Sequence, residues 1–136
     1  MKKVTLLIVF SLCLALTGCS KDGDIDAFIT EFESITKDMI TKIDADPTAA
    51  GLDEAQKSFD NKKASLKAKW DSIKGAVGFQ VSADTKKKLE DSVKKNMKDL
   101  MDVSMKHAAT IASDGEAAAK FTKLLKDYQA TFEEAK

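Results

Sequence analysis

Apolar residues recur along most of this chain at helical spacing, with polar residues between them. Over residues 25–43 they occupy positions i, i+3, i+4 and i+7, which place them on one face of a helix. This pattern predicts a first helix over residues 25–45. Asp24 is its expected N-cap, and Asp46 followed by Pro47 is its expected end.

A second helical pattern follows the proline and predicts a helix that opens at Pro47 or Thr48. Because Gly51 has a low helix propensity, the sequence does not define the residue at which regular helix begins. The apolar positions of this helix are Leu52, Ala55, Phe59, Leu66, Trp70 and Ile73.

Two more helices are predicted after residue 82. The third runs from residue 83 or 84 to 112 with Ser82 as its N-cap, and its expected core residues include Leu89, Val93, Met97, Leu100, Met101, Val103, Ala108 and Ile111. Ser113 and Glu116 match a capping box that opens the fourth helix. Its apolar face consists of Ala117, Phe121, Leu124, Leu125, Tyr128 and Phe132.

The pattern as a whole predicts an all-α protein with one domain over residues 25–136. Four amphipathic helices joined by mostly short connections favour an antiparallel up-down-up-down four-helix bundle. The alternative is a long helical hairpin on which two shorter helices pack.

The connection over residues 75–82 departs from helical spacing, because Val77, Phe79 and Val81 alternate with other residues. These side chains either cover the open end of the core or form an exposed apolar tip that contacts a partner or lipid.

The chain begins with Lys2 and Lys3, followed by a mostly apolar run over residues 4–17. That run is shorter than the roughly 20 residues a membrane-spanning helix needs, so it predicts a signal peptide. It ends in Leu16-Thr17-Gly18-Cys19. This segment resembles the lipobox of bacterial lipoprotein precursors, with a leucine, two small residues and the cysteine that receives lipid.

The resemblance implies that residues 1–18 are removed by cleavage between Gly18 and Cys19. The thiol of Cys19 would carry diacylglycerol, and its new amine would be acylated, for instance with palmitate. Residues 19–24 would then form the lipidated cysteine and a short tether to the membrane. Ser20 after the cysteine points to the outer membrane, facing the periplasm or the cell surface.

The charge and the cysteine content of the mature chain exclude several classes of function. Loss of Lys2 and Lys3 from the 22 basic residues leaves 20 against 22 acidic residues, which argues against nucleic-acid binding. Cys13 leaves with the signal and Cys19 is lipidated, so no cysteine remains for a disulfide, a thiolate nucleophile or a zinc site.

Candidate ligands for copper or haem are Met97, Met101, Met105 and His107. A four-residue repeat drifts by about 40° per step around a helix, so the three sulfurs diverge and core packing is the favoured interpretation. We therefore expect no metal site and no cofactor.

The sequence offers no catalytic constellation, since His107 is the one histidine and no nucleophile motif accompanies it. We expect a non-enzymatic envelope lipoprotein with a protein-binding or structural role and an envelope protein partner. Val77, Phe79 and Val81 are the candidate contact. The alternative is a periplasmic carrier of a hydrophobic ligand, haem or copper, in a cavity lined by Met97, Met101 and phenylalanines. The oligomeric state stays open.

Overall fold

The structure is a computed structural model that describes residues 20–76 and 78–132. All regular elements in these residues are helices, which confirms the predicted all-α class. The predicted signal peptide over residues 1–18, the lipidation of Cys19 and the cleavage after Gly18 fall outside the described residues.

Helix α1 (Asp22–Ala45) begins before the predicted start at residue 25. Asp24 is not its N-cap; the carboxylate lies in the first turn, 2.8 Å from the ammonium of Lys21. Acidic residues are favourable among the free N–H groups of a first turn, and so the helix extends back to Asp22. The buried residues of α1 are Ile25, Phe28, Phe32, Ile35, Thr36, Met39 and Ile43.

A tight corner joins α1 to helix α2 (Ala49–Ile73). The carboxylate of Asp46 accepts hydrogen bonds from the N–H group of Thr48 at 3.1 Å and from its hydroxyl at 2.6 Å. Gly51 is buried against this corner, where a Cβ atom would lie 1.9 Å from the carbonyl oxygen of Asp46. The close approach of the two helices therefore depends on the missing side chain.

After a short 3-10 helix (Gly78–Gln80), helix α3 (Ala83–Lys106) opens at Ser82, whose hydroxyl accepts from the N–H group of Thr85 at 3.2 Å. The predicted N-cap is confirmed. The prediction of one helix over residues 83–112 is wrong, because the helix ends before His107.

Helix α4 (Ala108–Ser113) begins after a break at His107, whose φ of −106° and ψ of 8° depart from helical values. Asp44, near the end of α1, lies 2.7 Å from the His107 ring and also pairs with Lys106. Ile111 is buried beyond the break. The contacts with Asp44 hold the chain to the end of α1 at the point where the helix breaks.

Helix α5 (Gly115–Ala130) is capped by Asp114, whose carboxylate accepts from the N–H groups of Glu116 at 2.9 Å and Ala117 at 3.3 Å. The predicted capping box at Ser113 is wrong. The Ser113 hydroxyl donates to the carbonyl of Thr110 at 2.8 Å and so belongs to the last turn of α4.

The four long helices alternate in direction, but consecutive helices are not always neighbours. Helix α1 packs against α2 and α3, and α2 also packs against α5. The starts of α1 and α3 meet where Ser82 donates to Asp22, so these two helices are parallel. Helices α3 and α5 occupy the fourth side of the bundle without an extensive interface.

Aromatic rings fill one end of the core. Their centroids lie between 5.4 and 6.3 Å apart, and the rings come from α1, α2 and the end of α5. The members are Phe28, Phe32, Phe59, Trp70, Tyr128 and Phe132. The indole N–H group of Trp70 donates to the carbonyl of Phe132 at 3.2 Å and ties α2 to the end of α5.

Candidate functional site: an apolar groove between helices α3 and α5

The apolar residues of the predicted tip that the structure describes, Phe79 and Val81, do not share one environment. The ring of Phe79 is 90% exposed, whereas Val81 is partly buried against the core. Val77 lies outside the described residues. The N–H group of Lys21 donates to the carbonyl of Gln80 at 2.8 Å, so the tip lies beside the start of α1.

Polar side chains fill much of the buried face of α3. Ser92 and Asn96 are about 5% and 4% exposed. The Ser92 hydroxyl donates to the carboxylate of Glu33 on α1 at 2.7 Å, and the Asn96 amide donates to the carbonyl of Ser92 at 2.8 Å. Buried polar groups are stable when they are paired in this way. Helix α3 is therefore held to α1 partly through hydrogen bonds.

The larger apolar side chains of α3 lie on a different face. Four residues spaced by four positions form an exposed apolar stripe: Val93 is 39% exposed, Met97 46%, Met101 60% and Met105 66%. The prediction that Val93, Met97 and Met101 belong to the core is wrong. Exposed apolar residues next to buried polar ones are an unusual combination on one helix of a globular protein.

An apolar groove separates this stripe from α5. Its first recess has a volume of about 280 Å³ and opens onto the aromatic end of the core. It is lined by Phe28, Phe32, Trp70, Val93, Met97, Tyr128, Gln129 and Phe132. A second recess of about 120 Å³ continues along α3 past Leu100 and Met101 to Ser104. The groove therefore follows α3 for about three turns, or roughly 16 Å.

The groove has little capacity for acid-base chemistry. Tyr128 is the one titratable residue that lines the two recesses. Burial raises its pKa to about 12, so the phenol is neutral at physiological pH. The remaining lining groups offer apolar contact and a few neutral hydrogen bonds, which suit binding.

A larger cavity of about 530 Å³ lies on the other side of α3, against α1. Its lining is charged, but cations and anions alternate: Lys95 pairs with Asp99 at 2.6 Å, and Lys106 pairs with Asp44. Hydrogen bonds from Lys106 and then His107 hold the pKa of Asp44 below its usual range. Most of these charges are paired within the protein and both signs are interspersed, so this cavity presents no concentrated charge of one sign to a ligand.

The structure does not bring the candidate metal ligands together. Met97 and Met101 line the groove on the α5 side, and Met105 lies beyond it on the exposed face. His107 faces α1, where its Nε2 atom lies 2.7 Å from a carboxylate oxygen of Asp44, which accepts the hydrogen bond. In the described part of the chain, His, Cys, Asp and Glu residues form no cluster of three or more suited to a metal ion.

The apolar faces predicted from the sequence contain Phe28 and Phe32, within the 25–43 pattern, and Trp70, Tyr128 and Phe132. In the structure Phe28, Phe32 and Tyr128 are buried, and Trp70 and Phe132 are partly buried. The sequence pattern did not indicate that they also line a groove, because the opening depends on how far α3 stands from α5. Each helix pattern reports its own apolar face and carries no signal for that separation.

Every helix within residues 20–76 and 78–132 is too short or too polar to cross a membrane. No family model matches the chain, and comparison with curated proteins and with solved structures found no similar protein.

Proposed function

We propose that this chain is a lipid-anchored protein of the bacterial envelope that acts by binding, with the groove between α3 and α5 as its binding site. The lipobox ending in Cys19 supports the anchor, and Ser20 supports the outer membrane. The preferred partner is a protein that presents the apolar face of a helix.

The observation that carries the proposal is the unpartnered apolar face of α3. A helix laid between α3 and α5 would cover Met97, Met101 and the aromatic end of the core, and it would close the fourth side of the bundle. Recognition of an amphipathic helix in an apolar groove is a recurrent mode of protein binding. Methionine side chains suit this role because they are flexible and polarizable and adapt to the shape of a partner.

The aromatic recess supplies a place for an anchor residue of that helix. It is bordered by Trp70, Tyr128 and Phe132, and aromatic contacts dominate the binding energy of many interfaces. The exposed Met101 and Met105 extend the contact beyond the recess. A small ligand confined to the recess would leave those two side chains uncovered.

The anchor is tested with two matched cysteine variants of the full chain expressed in a Gram-negative host. Cys19→Ser is expected to abolish incorporation of labelled palmitate and release the protein from the membrane fraction. Cys13→Ser changes the same residue type inside the signal and is expected to leave both properties unchanged. Equal labelling of the two variants would refute lipidation at Cys19.

The groove is tested by photo-crosslinking in living cells. A photoreactive amino acid at position 101 is expected to form an adduct with a protein, whereas the same group at Ala64, on the exposed face of α2, is not. Met97→Asp should abolish the position 101 adduct without changing the urea midpoint, because this side chain is half exposed. An adduct that survives Met97→Asp, or an equal adduct at position 64, would refute the groove as the binding site.

A second candidate function is a carrier of a hydrophobic ligand. The favouring observation is the aromatic recess, which approaches the size of small-ligand pockets at about 280 Å³. Native mass spectrometry of the purified mature protein separates the two functions. A reproducible small added mass that Met97→Asp removes would support the carrier; a clean mass of the protein alone would favour the protein partner.

A further inference from the structure

The exposed ring of Phe79 lies at the end of the bundle where the chain enters from Cys19. Two hydrogen bonds fix this arrangement. The N–H group of Lys21 donates to the carbonyl of Gln80 at 2.8 Å, and the N–H group of Ser82 donates to the carboxylate of Asp22 at 2.9 Å. Two residues that closely follow Phe79 are therefore tied to Lys21 and Asp22 at the entry to α1.

The length of chain before this point is short. Cys19 precedes Lys21 by two residues, and an extended chain spans at most about 3.6 Å per residue, so their Cα atoms lie within roughly 7 Å. A cysteine that carries acyl chains holds its backbone at the bilayer surface. The turn that carries Phe79 is then held at the same surface.

We propose that Phe79 inserts into the interface of the bilayer in which Cys19 is anchored, as a second contact that fixes the orientation of the domain. The inference rests on the lipid anchor of the proposed function. A ring that is 90% exposed contributes little to the fold, and aromatic side chains at the headgroup level stabilise peripheral attachment. One flexible anchor alone would leave the domain free to rotate.

The start of α3 provides cations at the same end. Lys88 pairs with Asp26 at 3.5 Å, whereas Lys86 and Lys87 have no ion-pair partner within the described residues. The helix dipole disfavours cations near an N-terminus, so the fold itself does not favour them there. Helical side chains lean toward the N-terminus, which directs both lysines toward the membrane side and its anionic headgroups.

This orientation of the domain also determines how the groove lies relative to the membrane. Its aromatic recess, with Trp70 and Phe132, lies at the membrane end of the bundle, and the stripe from Met97 to Met105 leads away from it. The groove then runs away from the bilayer and opens to the side, accessible to a partner in the adjoining compartment.

The test uses the full chain, matured and lipidated in the host and reconstituted into vesicles of phosphatidylethanolamine and phosphatidylglycerol. Since the mature chain has no cysteine other than the acylated Cys19, Phe79→Cys provides a unique thiol for an environment-sensitive fluorophore. The control is Ala112→Cys, an exposed position at the opposite end of the bundle. Both sites are exposed, so both labelled proteins should fold, as circular dichroism will verify.

We expect the label at position 79 to emit at shorter wavelength, to be quenched by nitroxide lipids, and to be several-fold less sensitive to aqueous iodide than the label at position 112. Equal iodide quenching at the two positions on protein that floats with the vesicles would overturn the insertion of Phe79 while leaving the anchor intact. Protein that does not float with the vesicles would overturn the anchor, and the inference with it.

Discussion

The hydroxyl oxygens of Thr36 and Tyr128 lie 2.7 Å apart in the core and join α1 to α5 across the bundle. The Thr36 hydroxyl also donates to the carbonyl of Phe32 at 2.8 Å. A threonine hydroxyl has one proton, so that proton is used on Phe32 and Tyr128 donates to Thr36. The direction of this bond gives the two partners different energetic roles.

Thr36→Val is expected to destabilise the protein more than Tyr128→Phe. The valine leaves the buried Tyr128 hydroxyl without a partner, which costs roughly 1–3 kcal/mol, whereas the phenylalanine leaves Thr36 bonded to Phe32 and costs about 1 kcal/mol. Urea unfolding followed by the fluorescence of Trp70, the one tryptophan, measures both values. A larger loss of stability in Tyr128→Phe than in Thr36→Val would mean that Thr36 donates to Tyr128 instead.

The same tyrosine makes stability depend on alkaline pH. Burial raises the pKa of Tyr128 from 10.0 to about 12, so between these values the folded chain keeps a proton that the unfolded chain has lost. The free energy of unfolding therefore falls as the pH rises through this window, by about 3 kcal/mol in full.

Phenolate absorbance reports this titration directly, because Tyr128 is the one tyrosine in the sequence. We expect a midpoint near pH 12 in the folded protein. Tyr128→Phe serves as the control. Its free energy of unfolding, plotted against pH, should lack the decrease between pH 10 and about 12 that we expect for the native chain. A midpoint near pH 10 in folded protein would contradict the burial of the phenol.

Phe132 closes the aromatic end of the core from a position just after α5. Its ring meets those of Phe28, Phe32, Trp70 and Tyr128 at centroid distances of 5.4 to 6.3 Å. Phe132→Ala should reduce the free energy of unfolding by about 3 kcal/mol, the low end for phenylalanine because the ring is partly exposed.

The matched control is Phe79→Ala, which removes a ring of the same size from an exposed turn. In solution without vesicles it should change the free energy of unfolding by less than about 0.5 kcal/mol. Equal losses in the two variants would mean that the 75–82 connection covers the core after all.

Sequence periodicity identified the four long helices because each buries a face with the expected spacing. The buried faces of α1, α2 and α5 could be predicted from the sequence, since their buried positions hold residues such as isoleucine, phenylalanine and leucine. The buried face of helix α3 could not be predicted in this way. Its buried face contains Ser92 and Asn96, whose burial depends on Glu33 and on each other, and its apolar residues were therefore assigned to the core.

The helix ends depended on contacts distant in sequence. No proline or glycine marks the break at His107, which follows from its contact with Asp44, 63 positions away. The break also decides the N-cap of α5. It creates the short helix α4, whose last turn uses the Ser113 hydroxyl, and so Asp114 caps α5 instead. The groove was unpredictable for the same reason: it is a gap between two helices, and the pattern of each helix carries no signal for the distance between them.

Gly51 provides the sharpest test of the α1–α2 corner. A Cβ atom there would lie 1.9 Å from the carbonyl oxygen of Asp46 and 2.6 Å from its Cβ atom, so backbone must move to admit a methyl group. Gly51→Ala should destabilise the protein by roughly 1–3 kcal/mol in spite of the better helix propensity of alanine. Urea unfolding gives the value, and circular dichroism reports whether the helices persist.

Gly23→Ala, in the first turn of α1, is the control because nothing lies within 4 Å of the added Cβ atom. Lower entropy of the unfolded chain should make this variant more stable by about 0.4–1 kcal/mol. The two substitutions are chemically identical and both lie near the start of a helix, so an opposite sign isolates the steric clash with Asp46. A stabilising effect at both positions would mean that the corner opens at little energetic cost, and α1 and α2 would not need their close approach to form the core.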